Sequence, residues 1–181
     1  MGKDRSTLDD AAREFIAAQH MFFVASAPLG AEGHINLSPK GLDTFRVLSP
    51  STVAYLDFNG SGVETIAHLK ENGRIVLMFC AFEGPPNILR LYGKGRVVEP
   101  ASEEFAELLK TFPIHEHPRS IIVVEISRVT DACGFAVPRF QYMGERQQLV
   151  KWARKAGAEG LKSYRARKNK RSLDGLPGIA G

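Results

Sequence analysis

Tyr55-Leu56-Asp57-Phe58-Asn59-Gly60-Ser61-Gly62-Val63-Glu64-Thr65, continuing through a short helical stretch to Arg74-Ile75-Val76-Leu77-Met78-Phe79, decides the architecture of this chain. Its first residues are β-formers and read as a strand. Asn59 to Gly62 is a loop of small residues, and 64–72 has helical spacing. Gly73 then stands where a helix ends in the left-handed conformation. A loop of Asn, Gly and Ser opening a helix presents backbone N–H groups and hydroxyls, donors suited to an anion such as a phosphate. The strand that follows, 74–82, is apolar at successive positions, so both of its faces need cover.

The flanking sequence supplies partners for these strands. Residues 22–27 and 34–38 form a hairpin across the turn 28–33, 44–48 is a short strand, and 52–58 leads into the loop. The stretch 87–99 alternates: Leu89, Leu91, Gly93, Gly95 and Val97 face one way, and Arg90, Tyr92, Lys94 and Arg96 the other. Two glycines on one strand face suit a strongly curved sheet. Residues 119–129 make a long strand with an Ile-Ile-Val-Val centre. Helices are few. One carries Leu8, Ala11, Ala12, Phe15 and Ile16, with Ser6 or Thr7 as its cap. A second is capped by Ser102 and stopped by Pro113, and a third spans 145–155 with Trp152. Short strands, brief helices and no repeating βαβ cadence predict a mainly β protein: an antiparallel barrel with peripheral helices.

The chain has 181 residues, with 44% hydrophobic and 24% charged, which fits one globular domain with an appendage. No apolar run approaches the roughly 18 residues of a membrane span. Two distant cysteines, both expected to be buried thiols, argue against a disulfide framework and for a reducing, cytoplasmic setting. Residues 1–150 carry 15 Lys+Arg against 18 Asp+Glu, while 151–181 carry 9 against 2. The division is therefore a mildly acidic barrel domain, 1–150, and a basic C-terminal extension, 151–181. From Gly157 onward periodicity is weak and the tail is expected to lie along a surface. It lacks the interleaved aromatics of a single-strand groove, so nucleic acid is not expected as a partner.

Four pieces of this sequence resemble the pyridoxamine-phosphate-oxidase-like, FMN-binding split-barrel family. They are Asn36-Leu37-Ser38-Pro39-Lys40-Gly41, the 55–65 strand and loop, Asn72-Gly73-Arg74, and Gly93-Lys94-Gly95-Arg96-Val97. The resemblance implies a six-stranded antiparallel split barrel that forms a homodimer and holds FMN at the subunit seam. It also implies an FMN-dependent oxidoreductase acting on a small molecule. A deazaflavin coenzyme in place of FMN, or a flavin- or haem-binding protein without turnover, are the alternatives. True pyridoxamine phosphate oxidases place a basic pair before the short helix, where this chain has Glu64 and Thr65. The arginine that opens their second strand corresponds to about Ile35. Vitamin B6 oxidation is therefore not expected.

The candidate cofactor ligands are Ser38, Lys40, Asn59, Gly60, Ser61, Thr65 and Arg96. Lys40 supplies charge at a hairpin end. Ser61 and Thr65 supply hydroxyls, one of which the helix would otherwise use as a cap. Asn59, Gly60 and Gly62 also suit backbone geometry alone. Glu64 either opposes a phosphate or turns away to pair with Lys70 or Arg74. Tyr55 and Phe79 are either flavin-stacking rings or core. His115-Glu116-His117 offers only residues two apart in a proline-flanked loop, so no metal is expected. No catalytic residue is assigned, because flavin chemistry of this kind needs no dedicated acid or base.

Overall fold

The computed structural model describes residues 4–113 and 117–179. Among these described residues are eight strands: β1 (Asp4–Arg5), β2 (Phe22–Ser26), β3 (Asn36–Lys40), β4 (Phe45–Val47), β5 (Thr52–Asp57), β6 (Arg74–Cys80), β7 (Ile88–Val98) and β8 (Ser120–Ala132). Four helices accompany them: α1 (Asp10–Ala17), α2 (Glu64–Glu71), α3 (Glu103–Leu109) and α4 (Gln148–Lys168). All strand pairs are antiparallel, in the order β3-β2-β6-β7-β8-β5-β4, with β1 added against β8. The expected split-barrel architecture is borne out, with seven strands along the sheet rather than six.

The sheet curls around a core of Val24, Tyr55, Leu77, Phe79, Leu91 and Ile122, into which α1 sends Ile16 and α2 sends Ile66. Curvature has a local cause. A Cβ on Gly93 would lie 2.2 Å from the Glu125 carbonyl oxygen, at the register shift between Tyr92 and Gly93. A Cβ on Gly95 would lie 2.8 Å from the Leu69 side chain, so glycine there lets α2 pack onto β7. A second core lies on the other face of β5 and β8, where Ala54, Leu56, Ile121 and Val123 meet Phe105 of α3 and Phe112. Tyr55 and Phe79 are thus core residues. Phe79 packs within ring-contact distance of Phe22 and Phe45.

β6 is fully covered on one face, and on the other only Cys80 at its end is buried. Ile75, Leu77 and Phe79 are buried, while Val76 and Met78 on the opposite face are half-buried. They lie beside half-buried Phe23 and Ala25 of β2, and Leu37 of β3 is 63% exposed.

Several local expectations change. α1 is capped by Asp9, whose carboxylate accepts from the Ala12 N–H at 2.9 Å, not by Ser6 or Thr7. β3 starts at Asn36 and runs through Pro39, which an edge strand tolerates. Cys80 is buried, but Cys133 is exposed. The helical stretch of α4 continues past Gly157 (φ 65°), which kinks it, because Leu161 beyond the kink is buried. Among the described residues no helix is long and apolar enough to cross a membrane.

Candidate functional site

The end of β5 carries the charge that organises the site. Asp57 is buried and accepts from Arg119 Nε at 2.7 Å, Ser120 Oγ at 3.3 Å and Lys40 Nζ at 3.4 Å. Burial alone would raise its pKa. The Arg119 and then the Lys40 charge, with their hydrogen bonds, outweigh burial and hold the carboxyl below its ordinary range. The antiparallel register sets Asp57 opposite Ser120, and the Arg119 N–H donates to the Asp57 carbonyl at 2.7 Å. Backbone pairing therefore brings the arginine to the carboxylate.

Arg119 also fixes the glycine loop. Its Nη1 donates to the Gly62 carbonyl at 2.8 Å and to Asn169 Oδ1 at 3.0 Å. Asn169, fully buried at the end of α4, donates in turn to the Gly60 carbonyl at 3.0 Å. With that carbonyl turned toward the tail, peptide planarity turns the Ser61 N–H to the opposite side. The tail stays close: a Cβ on Gly178 would lie 2.1 Å from the Asn169 carbonyl oxygen and 2.8 Å from Val63.

Above this base lies a cleft of about 220 Å³ lined by Ser38, Lys40, Gly60, Ser61, Thr65 and Arg119, with Asn36, Asp57 and Glu64 beside them. α2 opens on Val63 with no side-chain cap, so neither Ser61 nor Thr65 serves as one. Thr65 Oγ1 accepts from Asn36 Nδ2 at 3.0 Å and keeps its own proton to donate. Ser38 donates to Asn36 Oδ1 at 3.1 Å, leaving acceptor capacity only. Deeper in, Ser26 Oγ lies 2.9 Å from Nδ1 of fully buried His68, whose pKa burial lowers from its ordinary value. Glu64 faces the cleft and accepts from the Leu173 N–H at 3.2 Å, without pairing to Lys70 or Arg74. A Cβ on Gly62 would lie 2.2 Å from Glu64 Oε2, a contact the Glu64 carboxylate can move to relieve; Gly60 has open space around it.

Five of the seven expected ligands therefore meet in one place. Asn59 does not: its side chain is buried behind the loop, donating to the His117 carbonyl at 3.0 Å and accepting from Arg165 at 3.2 Å. Arg96 does not either, because it forms a paired contact with Glu104. Sequence reading missed Asp57, Arg119 and Asn169. Arg119 opens an evident strand, but nothing local shows that its partner lies 62 residues away. His115 and Glu116 of the considered metal motif lie outside the described residues.

Comparison with known proteins establishes the family and the fold. Residues 8–133 match the family described as pyridoxamine 5'-phosphate oxidase. The pyridoxamine 5'-phosphate oxidase family protein ustO of Aspergillus flavus is 41% identical over 190 residues, spanning 96% of this chain and 76% of that protein. Among solved structures, HupZ of Group A Streptococcus superposes with a TM-score of 0.56 at 19% identity, over 70% of this chain and 94% of its own. A FAD-binding protein from Mesorhizobium loti gives 0.50 at 11% identity, over 72% and 96%. At these identities the superpositions establish the fold. α4, the segment before it and the tail lie beyond the 8–133 span of the family match, whereas the match to ustO covers 96% of the chain.

Proposed function

The chain belongs to the pyridoxamine 5'-phosphate oxidase family, and on that footing we propose that it is a flavin-dependent oxidoreductase. The phosphate of FMN sits in the Lys40–Ser61–Arg119 cleft, and the ring lies outside it along the seam of a homodimer. The observation that carries this reading is the convergence of five expected ligands and a second cation, Arg119, on one cleft. A volume of about 220 Å³ suits a phosphate group but not phosphate and tricyclic ring together. Lys40 and Arg119, with Arg165 behind the loop, offset Asp57 and Glu64. Ser61, Thr65 and the uncapped start of α2 supply donors. That a structural neighbour is a FAD-binding protein supports a flavin in general.

Bound flavin supplies hydride or electron transfer to or from a small molecule. The chain's own residues hold the phosphate, orient the coenzyme and keep water from the seam. The half-buried outer face of β6 supports pairing with a second copy there.

Fluorescence titration with FMN, FAD and a deazaflavin identifies the coenzyme. FMN binds most tightly, and Lys40→Met weakens it by roughly ten-fold or more, the loss of one charge-assisted contact. Colourless protein that takes up none of the three sinks the proposal. Tight binding without reduction by NADH or NADPH in stopped flow leaves a carrier instead of an enzyme.

A further inference from the structure

A second cavity lies where the end of α1, the turn after β3, the end of β6 and the 140–149 segment meet, and we propose that it binds an aromatic small molecule bearing an amine. It encloses about 730 Å³, against about 220 Å³ for the phosphate cleft. Ligand sites span roughly 300–1,000 Å³. Met21, Leu42, Phe82, Phe140, Tyr142 and Met143 are the large apolar and aromatic residues of its walls, and the Phe82 and Phe140 rings touch at 5.4 Å between centroids.

These walls are built, not loose. The Phe140 N–H donates to the Phe82 carbonyl at 3.0 Å, and the Tyr142 N–H donates to Glu83 Oε1 at 2.9 Å. The Tyr142 ring stacks on His20 at 3.6 Å, 9° from parallel. Phe140 nevertheless remains 60% exposed and Met143 87%. Apolar surface held open beside a cavity with a polar rim marks a binding surface. Rigid ring faces and soft thioethers favour a planar aromatic guest. Leu42, in the lining, adopts positive φ (62°), an uncommon conformation for a bulky non-glycine residue and one that gathers at ligand sites.

The charges choose the guest's functional group. Two carboxylates, Glu83 and Glu145, line the cavity against one cation, Arg146. Tyr142 donates its hydroxyl to Glu145 Oε1 at 3.1 Å. Glu145 Oε2 lies over Gly41, 3.4 Å from where a Cβ would stand, so the missing side chain keeps that oxygen approachable. A carboxylate oxygen at the edge of aromatic walls accepts from an amine and repels an aromatic acid. Lys40 lines the phosphate cleft and its neighbours Gly41 and Leu42 line this cavity, so the two sites adjoin. Binding here does not depend on flavin.

Calorimetric titration of the full chain, stripped of flavin, with tryptamine, indole and indole-3-propionate tests the assignment. Tryptamine binds saturably, and indole-3-propionate binds about ten-fold more weakly or worse. Glu145→Gln lowers tryptamine affinity to that of indole, whereas Phe140→Ala weakens both. Phe135→Ala, at an 81% exposed residue outside the cavity, leaves all three unchanged. Equal affinity for amine and acid, no saturable binding, or indifference to both Glu145→Gln and Phe140→Ala overturns it. Flavin titration of the same variants reports on the phosphate cleft separately.

Discussion

β8 and β6 carry the same kind of sequence and end in different surroundings. Both are apolar at consecutive positions, so each presents two faces that water disfavours. β8 has both faces covered by its own chain: Ile122 and Val124 point into the barrel core, while Ile121 and Val123 pack under α3. β6 has Leu77 and Phe79 in the barrel core, yet Val76 and Met78 remain half-buried. The same sequence signal thus means a private core in one strand and an open surface in the other. The difference is one helix, α3, placed over β8 by the connection from β7.

The comparison is most severely tested by putting a charge under α3. Val123→Asp leaves an unpaired carboxylate in the second core, and urea unfolding should record a loss of roughly 3–5 kcal/mol. A change of only a few tenths would mean that α3 does not seal β8.

Next in size is the Asp57–Arg119 pair at the junction of β5 and β8. Its folded pKa is below that of an unfolded aspartate, about 3.9. The associated stability is therefore fully present above that value and is lost as pH falls through the lower folded value. Asp57→Asn should start about 1–3 kcal/mol less stable at pH 7, by removing a charged hydrogen-bond partner, and should lose less on acidification. Parallel pH profiles for the two proteins would contradict the assignment.

Ser102→Ala loosens the cover itself. Its hydroxyl accepts from the Phe105 N–H at 3.1 Å at the start of α3. Thermal unfolding should show a loss of about 1 kcal/mol.

Val76→Asp should have the smallest effect on folding, within roughly 0.5 kcal/mol, because its face is already open to water. Sedimentation equilibrium should instead show the proposed homodimer giving way to monomer. Folding lost to the same extent as in Val123→Asp would erase the distinction between the strands.

The candidate site was legible in part for a related reason. Ser38, Lys40, Ser61 and Thr65 could be read because each sits in a local pattern, a strand end or a small-residue loop before a helix. Arg96 was misplaced because alternation shows only that it leaves the core; the Glu104 that takes it up belongs to the next helix. Asn169 could not be read at all, since its role depends on a contact 109 residues away with Gly60. The cap of α1 slipped from Ser6 or Thr7 to Asp9 because several capping residues stand in a row and the tertiary start of the helix selects among them.

Sequence alone determined most of the strands, the end of α2 at Gly73 and the curled antiparallel sheet, because alternation, turn residues and glycines act over a few neighbours. Tertiary structure decided which apolar strand face was left open, which cation joined Lys40 at Asp57, and that the tail pins the glycine loop. Those outcomes join residues dozens to more than a hundred positions apart, and such pairings are set by how whole elements stack, not by any local pattern.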